Sequence, residues 1–190
     1  MNSINPTREF TLDDERKRRR MDHLNERWRM ICPPLYRETS EEMIAKEKWD
    51  SVFSWHPNEE RNLWIEGPSG SQKTRLAYIR LEDLHYVQGF GCWAVNAVEM
   101  CNRLQIADGK TREAEIERLS RFSVLLIDDL GKEPNTQQVN SSLYLLAEKR
   151  TANKKVTIIT ANLNTRERKD NDVPTYRRLL ENALVLEFSA

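Results

Sequence analysis

The sequence lacks several features that mark common classes of protein. Its three cysteines are widely spaced and form no CxxC pair, which argues against a zinc ribbon or a redox motif. No stretch approaches the ~20 apolar residues of a membrane span, and no apolar leader follows the first methionine. The 30 basic and 30 acidic residues balance, so no net charge draws the chain to nucleic acid or to a membrane. We therefore expect a cytoplasmic protein with reduced thiols and no membrane contact.

The first 40 residues differ in pattern from the rest. Acidic residues precede the basic run Arg16–Arg20, and an apolar stripe at helical spacing follows it. The stripe consists of Met21, Leu24, Trp28 and Ile31. Pro33 and Pro34 should end this helix, because proline lacks an amide and constrains the residue before it.

The length and composition set the domain organisation. A chain of 190 residues with 38% hydrophobic content can bury one core and carry a short appendage. We predict a basic amphipathic extension with a linker over 1–40 and one domain over 41–190. We also predict a helix over 40–50, with Ser40 as its N-cap and with Trp49 and Trp55 offering surface to bury.

From Leu63 onward, strand and helix patterns alternate, which favours βαβ units and a largely parallel sheet. The predicted strands lie near 63–66, 92–95, 122–127, 156–160 and 184–188. The predicted helices lie near 73–86, 98–106, 111–120, 137–152 and 174–183.

The segment between the first strand and its helix has the composition of a phosphate-binding loop. There, backbone amides and a helix N-terminus can surround a polyphosphate. The loop consists of Gly67, Pro68, Ser69, Gly70, Ser71, Gln72, Lys73 and Thr74. Lys73 would reach the β and γ phosphates, and the Thr74 hydroxyl would bind Mg²⁺. Gln72 departs from the pattern G-x-x-x-x-G-K-[ST], and a left-handed backbone there would cost about 1–2 kcal/mol. The alternative is a glycine-containing surface turn.

A second motif follows the apolar strand Val124–Ile127. Asp128 and Asp129 lie at its carboxyl end, where open parallel sheets bind their ligands, and together they resemble a Walker B element. Asp128 would hold Mg²⁺, and Asp129 would orient or deprotonate the attacking water. An ordinary Asp-Asp turn is the alternative.

Two further polar positions are weaker on their own. Asn162 follows the strand Val156–Thr160, where an amide could sense the γ phosphate, although asparagine is also common in turns. Arg177 and Arg178 lie on an amphipathic segment, and most arginines on helices are solvated.

Taken in order, these elements resemble the DnaC-type helicase loaders and IstB-type transposition helpers of the AAA+ class. The segment Leu126–Lys132 is the most specific, and 158–162 and Pro33–Arg37 also match. The resemblance covers roughly residues 33–190. It implies an α/β P-loop NTPase with a five-stranded parallel sheet of order 5-1-4-3-2 flanked by helices. It also implies an N-terminal helical extension and no C-terminal lid domain.

The same resemblance implies a function. It predicts an ATPase that uses ATP and Mg²⁺, with Asn162 as sensor and Arg178 as an arginine finger acting in trans within a homo-oligomer. Arg177 is the competing finger. The partners would be a replicative helicase, gripped through the N-terminal stripe, or a transposase, with single-stranded or double-stranded DNA. The alternative for the stripe is that it packs on the protein's own core. We expect slow hydrolysis that loads or regulates the helicase. The alternatives are an IstB-like transposition helper and a scaffold that no longer hydrolyses ATP.

Overall fold

The computed structural model describes residues 12–59, 61–162 and 174–189. The helices are α1 (Leu12–Ile31), α2 (Pro34–Arg37), α3 (Lys46–Phe53), α4 (Lys73–Tyr86), α5 (Ala97–Ile106), α6 (Gly109–Ser120), α7 (Gln137–Ala152) and α8 (Pro174–Leu180). The strands are β1 (Asn62–Glu66), β2 (Cys92–Asn96), β3 (Val124–Leu130), β4 (Val156–Ala161) and β5 (Ala183–Glu187). Strands and helices alternate from β1 onward, as the sequence predicts.

Within the described residues, the strands form one parallel sheet in the order β2-β3-β4-β1-β5. Leu63 in β1 lies beside Ile158 of β4 on one side and beside Leu184 of β5 on the other. Counted from the opposite edge, the order is 5-1-4-3-2, so the predicted topology is confirmed. The carboxyl ends of the parallel strands share one edge of the sheet, and the segments that follow β1, β3 and β4 therefore meet there.

Helices cover both faces of the sheet and form a core on each. On one face, α1, α3 and α4 pack around residues that include Leu126 of β3. On the other face, α5, α6, α7 and α8 pack around residues that include Leu125 and Ile127. Because β3 is buried on both faces, its first four residues are all apolar, which explains the unbroken run in the sequence.

The helix α1 is docked at one end only. Trp28 and Ile31 are buried in the core beside α4, whereas Leu24 is half-buried and Met21 is 49% exposed. The outer turns, which carry the basic run, are exposed and are held by i,i+4 ion pairs such as Lys17 with Asp13. The carboxyl end of the stripe thus packs on the protein's own core, and the predicted boundary at residue 40 stays a prediction.

The segment between α1 and β1 differs from the prediction. The residues expected to form a linker include the short helix α2. The helix predicted over 40–50 is instead a 3₁₀ turn at Glu41–Met43 followed by α3, and the Ser40 side chain makes no capping hydrogen bond. Ile44 is extended between the two elements, which interrupts the helical pattern. Trp55 is fully buried, and Trp49 is partly buried against Phe53.

A buried arginine joins α7 to β4 and to the carboxyl end of α6. The Arg150 side chain is 1% exposed, and its guanidinium donates to four oxygens. These acceptors are Thr157 Oγ1 at 3.0 Å, Leu119 O at 3.0 Å, Phe122 O at 2.9 Å and Val156 O. Burial lowers the pKa of Arg150 to about 9, so the side chain is still charged at neutral pH.

The three cysteines are free and buried in the fold. Burial raises the pKa of Cys32, Cys92 and Cys101 to about 12 each, which keeps them as protonated thiols at neutral pH. None of the helices in the described part of the chain has the length and apolar character that crossing a bilayer requires.

Candidate nucleotide-binding site

The loop between β1 and α4 is shaped by two glycines. A Cβ atom on Gly67 would collide with the carbonyl oxygen of Phe188, which follows β5, so a larger residue does not fit there. Gly70 has φ +85°, a left-handed conformation that glycine adopts without strain. The loop therefore turns sharply and delivers the chain to the N-terminus of α4.

Gln72 occupies the position where the phosphate-loop pattern has its second glycine. Its backbone is left-handed, with φ 71° and ψ 12°. Gln72 therefore has the left-handed backbone that is unfavourable for a non-glycine residue, and the strain amounts to about 1–2 kcal/mol. The side chain forms a hydrogen bond, in which Gln72 Nε2 donates to the carbonyl oxygen of Met43 at 2.8 Å. This bond ties the loop to the 3₁₀ turn before α3.

Lys73 lies inside the loop rather than pointing to solvent. It is 6% exposed, and its ammonium donates to the carbonyl oxygens of Gly67 at 2.9 Å and Pro68 at 2.7 Å. Desolvation lowers the pKa of Lys73, and the carboxylate of Asp129 opposes that effect. The loop thus holds a buried ammonium that its own carbonyl oxygens neutralise only in part.

Beneath the loop, one carboxylate oxygen accepts hydrogen bonds from two hydroxyls. Asp128 Oδ1 accepts from Thr74 Oγ1 at 2.8 Å and from Thr160 Oγ1 at 2.6 Å. Asp128 is 8% exposed, and burial raises its pKa although both hydrogen bonds act in the opposite direction. Thr160 Oγ1 also accepts from the backbone amide of Asp129 at 2.9 Å. Thr160 therefore fixes both aspartates, a role that the sequence analysis did not assign to it.

Asp129 lies in β3 where the pairing with β4 shifts register, and its side chain lines the cavity beside the loop. It has φ 61°, and its Oδ1 forms an ion pair with the ammonium of Lys132 at 3.1 Å. Both side chains are partly exposed. A carboxylate and an ammonium therefore stand side by side at the carboxyl end of β3.

These residues enclose a cavity of about 280 Å³ between the loop and the strand ends. Its lining includes seven residues that the sequence analysis predicted, namely Ser69, Gly70, Gln72, Lys73, Thr74, Asp129 and Asn162. Of the other predicted residues of this site, Gly67, Pro68, Ser71 and Asp128 do not line the cavity. Ser71 and Asp128 are buried behind its wall.

Three residues that line the cavity have no predicted role: Tyr36, Arg75 and Lys132. The Tyr36 ring stacks on Tyr78 with centroids 5.0 Å apart, and the Arg75 guanidinium lies 5.9 Å from the Tyr36 ring. Arg75 Nη1 also donates to Thr39 Oγ1 at 3.0 Å. The segment after α1 thus supplies an aromatic side wall. Its only signal in the sequence is the Pro-Pro-x-aromatic stretch.

Arg178 does not line this cavity. It lies on α8, where it forms ion pairs of 2.9 Å with both Glu148 and Glu181. Hydrogen bonds to Glu181 and Glu148 raise the pKa of Arg178. Its neighbour Arg177 is exposed. The structure therefore brings the loop, both aspartates and Asn162 together and leaves the arginines elsewhere.

The donor set beneath the loop fits a magnesium ion. Mg²⁺ prefers oxygen ligands, and nucleotide sites commonly hold it through a hydroxyl, a carboxylate and phosphate oxygens. The Thr74 hydroxyl and the Asp128 carboxylate meet at 2.8 Å. Burial raises the pKa of Asp128, and a nearby cation would favour the ionised form of this carboxylate.

Comparison with known proteins adds a family and a set of similar folds. The family model for the IstB-like ATP binding protein matches residues 9–171. A solved structure of the DnaC helicase loader aligns with a TM-score of 0.56 and 24% identity, covering 72% of this chain and 83% of that one. A DnaI structure aligns with a TM-score of 0.67 and 18% identity, covering 83% of this chain and 94% of that one.

A third structure, the replication initiator DnaA bound to AMPPCP and single-stranded DNA, has the same fold. It aligns with a TM-score of 0.67 and 15% identity, covering 83% of this chain and 51% of that one. No curated protein matches the chain. At these sequence identities, the solved structures show only that the fold is shared, and the family model shows the family to which the chain belongs.

Proposed function

This chain belongs to the family of IstB-like ATP binding proteins, and from that premise we propose that it is an AAA+ ATPase that loads or regulates a replicative DNA helicase. The likeness to a structure described as the DnaC helicase loader supports the choice of a helicase as partner. In this proposal, ATP and Mg²⁺ drive assembly into a homo-oligomer, and slow hydrolysis releases the partner. Single-stranded or double-stranded DNA is the proposed second ligand.

One observation carries the ATPase proposal. Thr74 and Thr160 converge on Asp128 directly beneath a loop that holds the ammonium of Lys73. A glycine-containing surface turn has no reason to bury a lysine and an aspartate so close to each other. Polyphosphate would bring negative charge to the Lys73 ammonium, and its magnesium ion would bring positive charge to the Asp128 carboxylate.

The residues then take separate parts in the chemistry. The bound ion would supply charge neutralisation for the transferred phosphoryl group, and Thr74 and Asp128 would hold it. Lys73 would exchange the carbonyl oxygens of Gly67 and Pro68 for phosphate oxygens. Asp129 would orient or deprotonate the attacking water, a role for which its partly exposed carboxylate at the cavity wall is suited.

Asn162 and Arg178 complete the proposal from two different protomers. Asn162 lines the same cavity as Asp129, which supports a role as sensor of the γ phosphate. Arg178 lies outside its own protomer's cavity, which supports a role in trans at a neighbour's nucleotide. A site completed by a neighbour makes hydrolysis depend on assembly.

An ATP titration and a phosphate-release assay test the enzyme, each run with and without single-stranded DNA. We expect ATP binding that requires Mg²⁺, with turnover that rises with protein concentration. Lys73→Ala should abolish binding. If wild-type protein shows no binding at millimolar ATP, the chain is a scaffold that has lost its nucleotide, and the ATPase proposal fails.

Replacement of Arg178 by alanine tests the finger. Arginine fingers in other nucleotide hydrolases contribute about 10³–10⁵ in turnover, so we expect a loss of that order with ATP affinity nearly unchanged. Arg177→Ala tests the competing finger. Arg121→Ala is the control, because Arg121 is an arginine that pairs with a glutamate and does not line the cavity. Unchanged turnover in Arg178→Ala, measured on assembled protein, would remove Arg178 from the mechanism.

The family match also favours a second function, that of a helper ATPase that hands target DNA to a transposase. The ATP site serves both functions equally, so the partner decides between them. Purified replicative helicase and purified transposase from the same source can be offered in parallel binding assays with ATP. Helicase loading onto circular single-stranded DNA supports the first function, and ATP-dependent capture of the transposase supports the second.

A further inference from the structure

A single carboxylate joins the turn after β3 to helix α8. Glu133 Oε2 accepts from the backbone amide of Gly131 at 2.6 Å. The other oxygen of the same group, Glu133 Oε1, accepts from the Tyr176 hydroxyl. Glu133 and Tyr176 are 43 residues apart in the sequence, so this bond is a tertiary link between two functional segments.

At one end of this link lies the nucleotide cavity. Asp129 and Lys132 both line the cavity; Asp129 precedes Gly131 by two residues, and Lys132 lies between Gly131 and Glu133. Their mutual ion pair is 3.1 Å long and partly exposed. A triphosphate in the cavity would attract the Lys132 ammonium and repel the Asp129 carboxylate, so it would move the two sides of this turn in opposite directions.

At the other end lies the proposed finger. Tyr176 is 4% exposed, with its ring set edge-on to Trp64 at 6.3 Å, so its hydroxyl is the polar end of a well-packed side chain. Arg178 follows two residues later on the same seven-residue helix. Because α8 is short and helical, a displacement of Tyr176 also displaces Arg178.

We propose that Glu133 and Tyr176 are positioning residues that couple a protomer's own nucleotide site to the placement of its Arg178 at the neighbouring protomer. This inference rests on the proposed function, and in particular on Arg178 acting in trans. The path runs from the phosphates to Asp129 and Lys132, through the turn to Glu133, and then to α8. A protomer with an occupied site would then present its finger, and one with an empty site would not.

Hydrogen exchange of α8 tests the coupling independently of turnover. With a non-hydrolysable ATP analogue and Mg²⁺, we expect altered exchange both in the loop Gly67–Thr74 and in α8. In Tyr176→Phe, which removes only the hydroxyl, the loop response should persist and the α8 response should disappear. The coupling is refuted if α8 responds to the analogue equally in both proteins, or does not respond in the wild type.

A mixing experiment then separates the neighbour's site from the protomer's own. Tyr176→Phe alone should lose turnover by about tenfold, the equivalent of 1.4 kcal/mol or roughly one hydrogen bond. Its own nucleotide site stays intact. Mixed with Asn162→Ala protomers, which lack the proposed γ-phosphate sensor but keep Asp129, Lys132 and Arg178, it should regain turnover. Failure to regain turnover would place the defect in the protomer's own site and overturn the coupling.

Controls keep the two proposals distinguishable. Arg178→Ala mixed with Asn162→Ala should also regain turnover, and if it does not, the trans finger itself is wrong. Tyr144→Phe is the matched control, because Tyr144 lies on α7 and is 42% exposed, and its turnover should equal that of the wild type. Glu133→Gln keeps only one of the two acceptor contacts, so it should reproduce the effect of Tyr176→Phe if that variant folds poorly.

Discussion

The left-handed backbone of Gln72 sets up a prediction in which folding and binding respond differently. Gln72→Ala keeps φ 71° and loses the hydrogen bond to Met43 O, which should destabilise the protein by about 0.5–1.5 kcal/mol. Gln72→Gly loses the same bond and relieves about 1–2 kcal/mol of strain. Glycine also makes the unfolded chain more flexible, which lowers the free energy of unfolding by about 0.4–1 kcal/mol. The glycine variant should therefore be more stable than the alanine variant by about 1 kcal/mol.

Urea unfolding of the three proteins measures this difference, and a parallel ATP titration measures binding. The strain belongs to the free energy of folding, since the loop is already left-handed at a residue whose side chain is anchored to Met43. We therefore expect ATP dissociation constants within about twofold of one another. If Gln72→Gly instead bound ATP five- to thirtyfold more tightly, the 1–2 kcal/mol of strain would arise on ATP binding and not on folding, which would contradict this prediction.

Three further predictions concern buried charged or titratable groups. Asp128→Asn keeps an oxygen that can accept from both threonine hydroxyls and removes a desolvated charge, so calorimetry should show equal or higher stability while Mg²⁺-dependent ATP binding is lost. Arg150→Met leaves several buried acceptors unpaired and should destabilise by about 3 kcal/mol in urea; a loss under about 1 kcal/mol would contradict this. His85 has its pKa lowered from 6.5 by burial against α1, so the unfolded chain takes up its proton first. Stability should fall as pH falls below 6.5, and His85→Gln should flatten that dependence in thermal melts.

The features of the fold and site that depend on short stretches of sequence were predictable. The strand pattern and the glycines of the loop depend on neighbours within a few residues, and so does the pair Asp128–Asp129. The order of the strands came from resemblance to a family, because nothing in a run of apolar residues specifies which strand it pairs with. The 3₁₀ turn before α3 was missed because its short polar segment has the same composition as a helix start.

The residues that complete the site were not predictable from the sequence, because their roles arise from pairings between distant segments. Thr160 looks like one more β-branched residue in a strand, and only the parallel pairing of β3 with β4 places its hydroxyl beside Asp128. The bond between Glu133 and Tyr176 is of the same kind. Arg150 resembles a surface arginine until its partners on three segments are known. The predicted site residues themselves stay predictions until the variants are measured.

The one-ended docking of α1 has a mechanical consequence. A helix of 20 residues is about 30 Å long, and α1 is fastened by Trp28 and Ile31 near its carboxyl end. Its fastening point is α4, the helix whose first residues are Lys73 and Thr74. The outer turns therefore form a lever arm. A molecule that bound them would exert a torque on the helix that carries the predicted phosphate-binding lysine, so a load on a bound partner would be transmitted to the predicted nucleotide site.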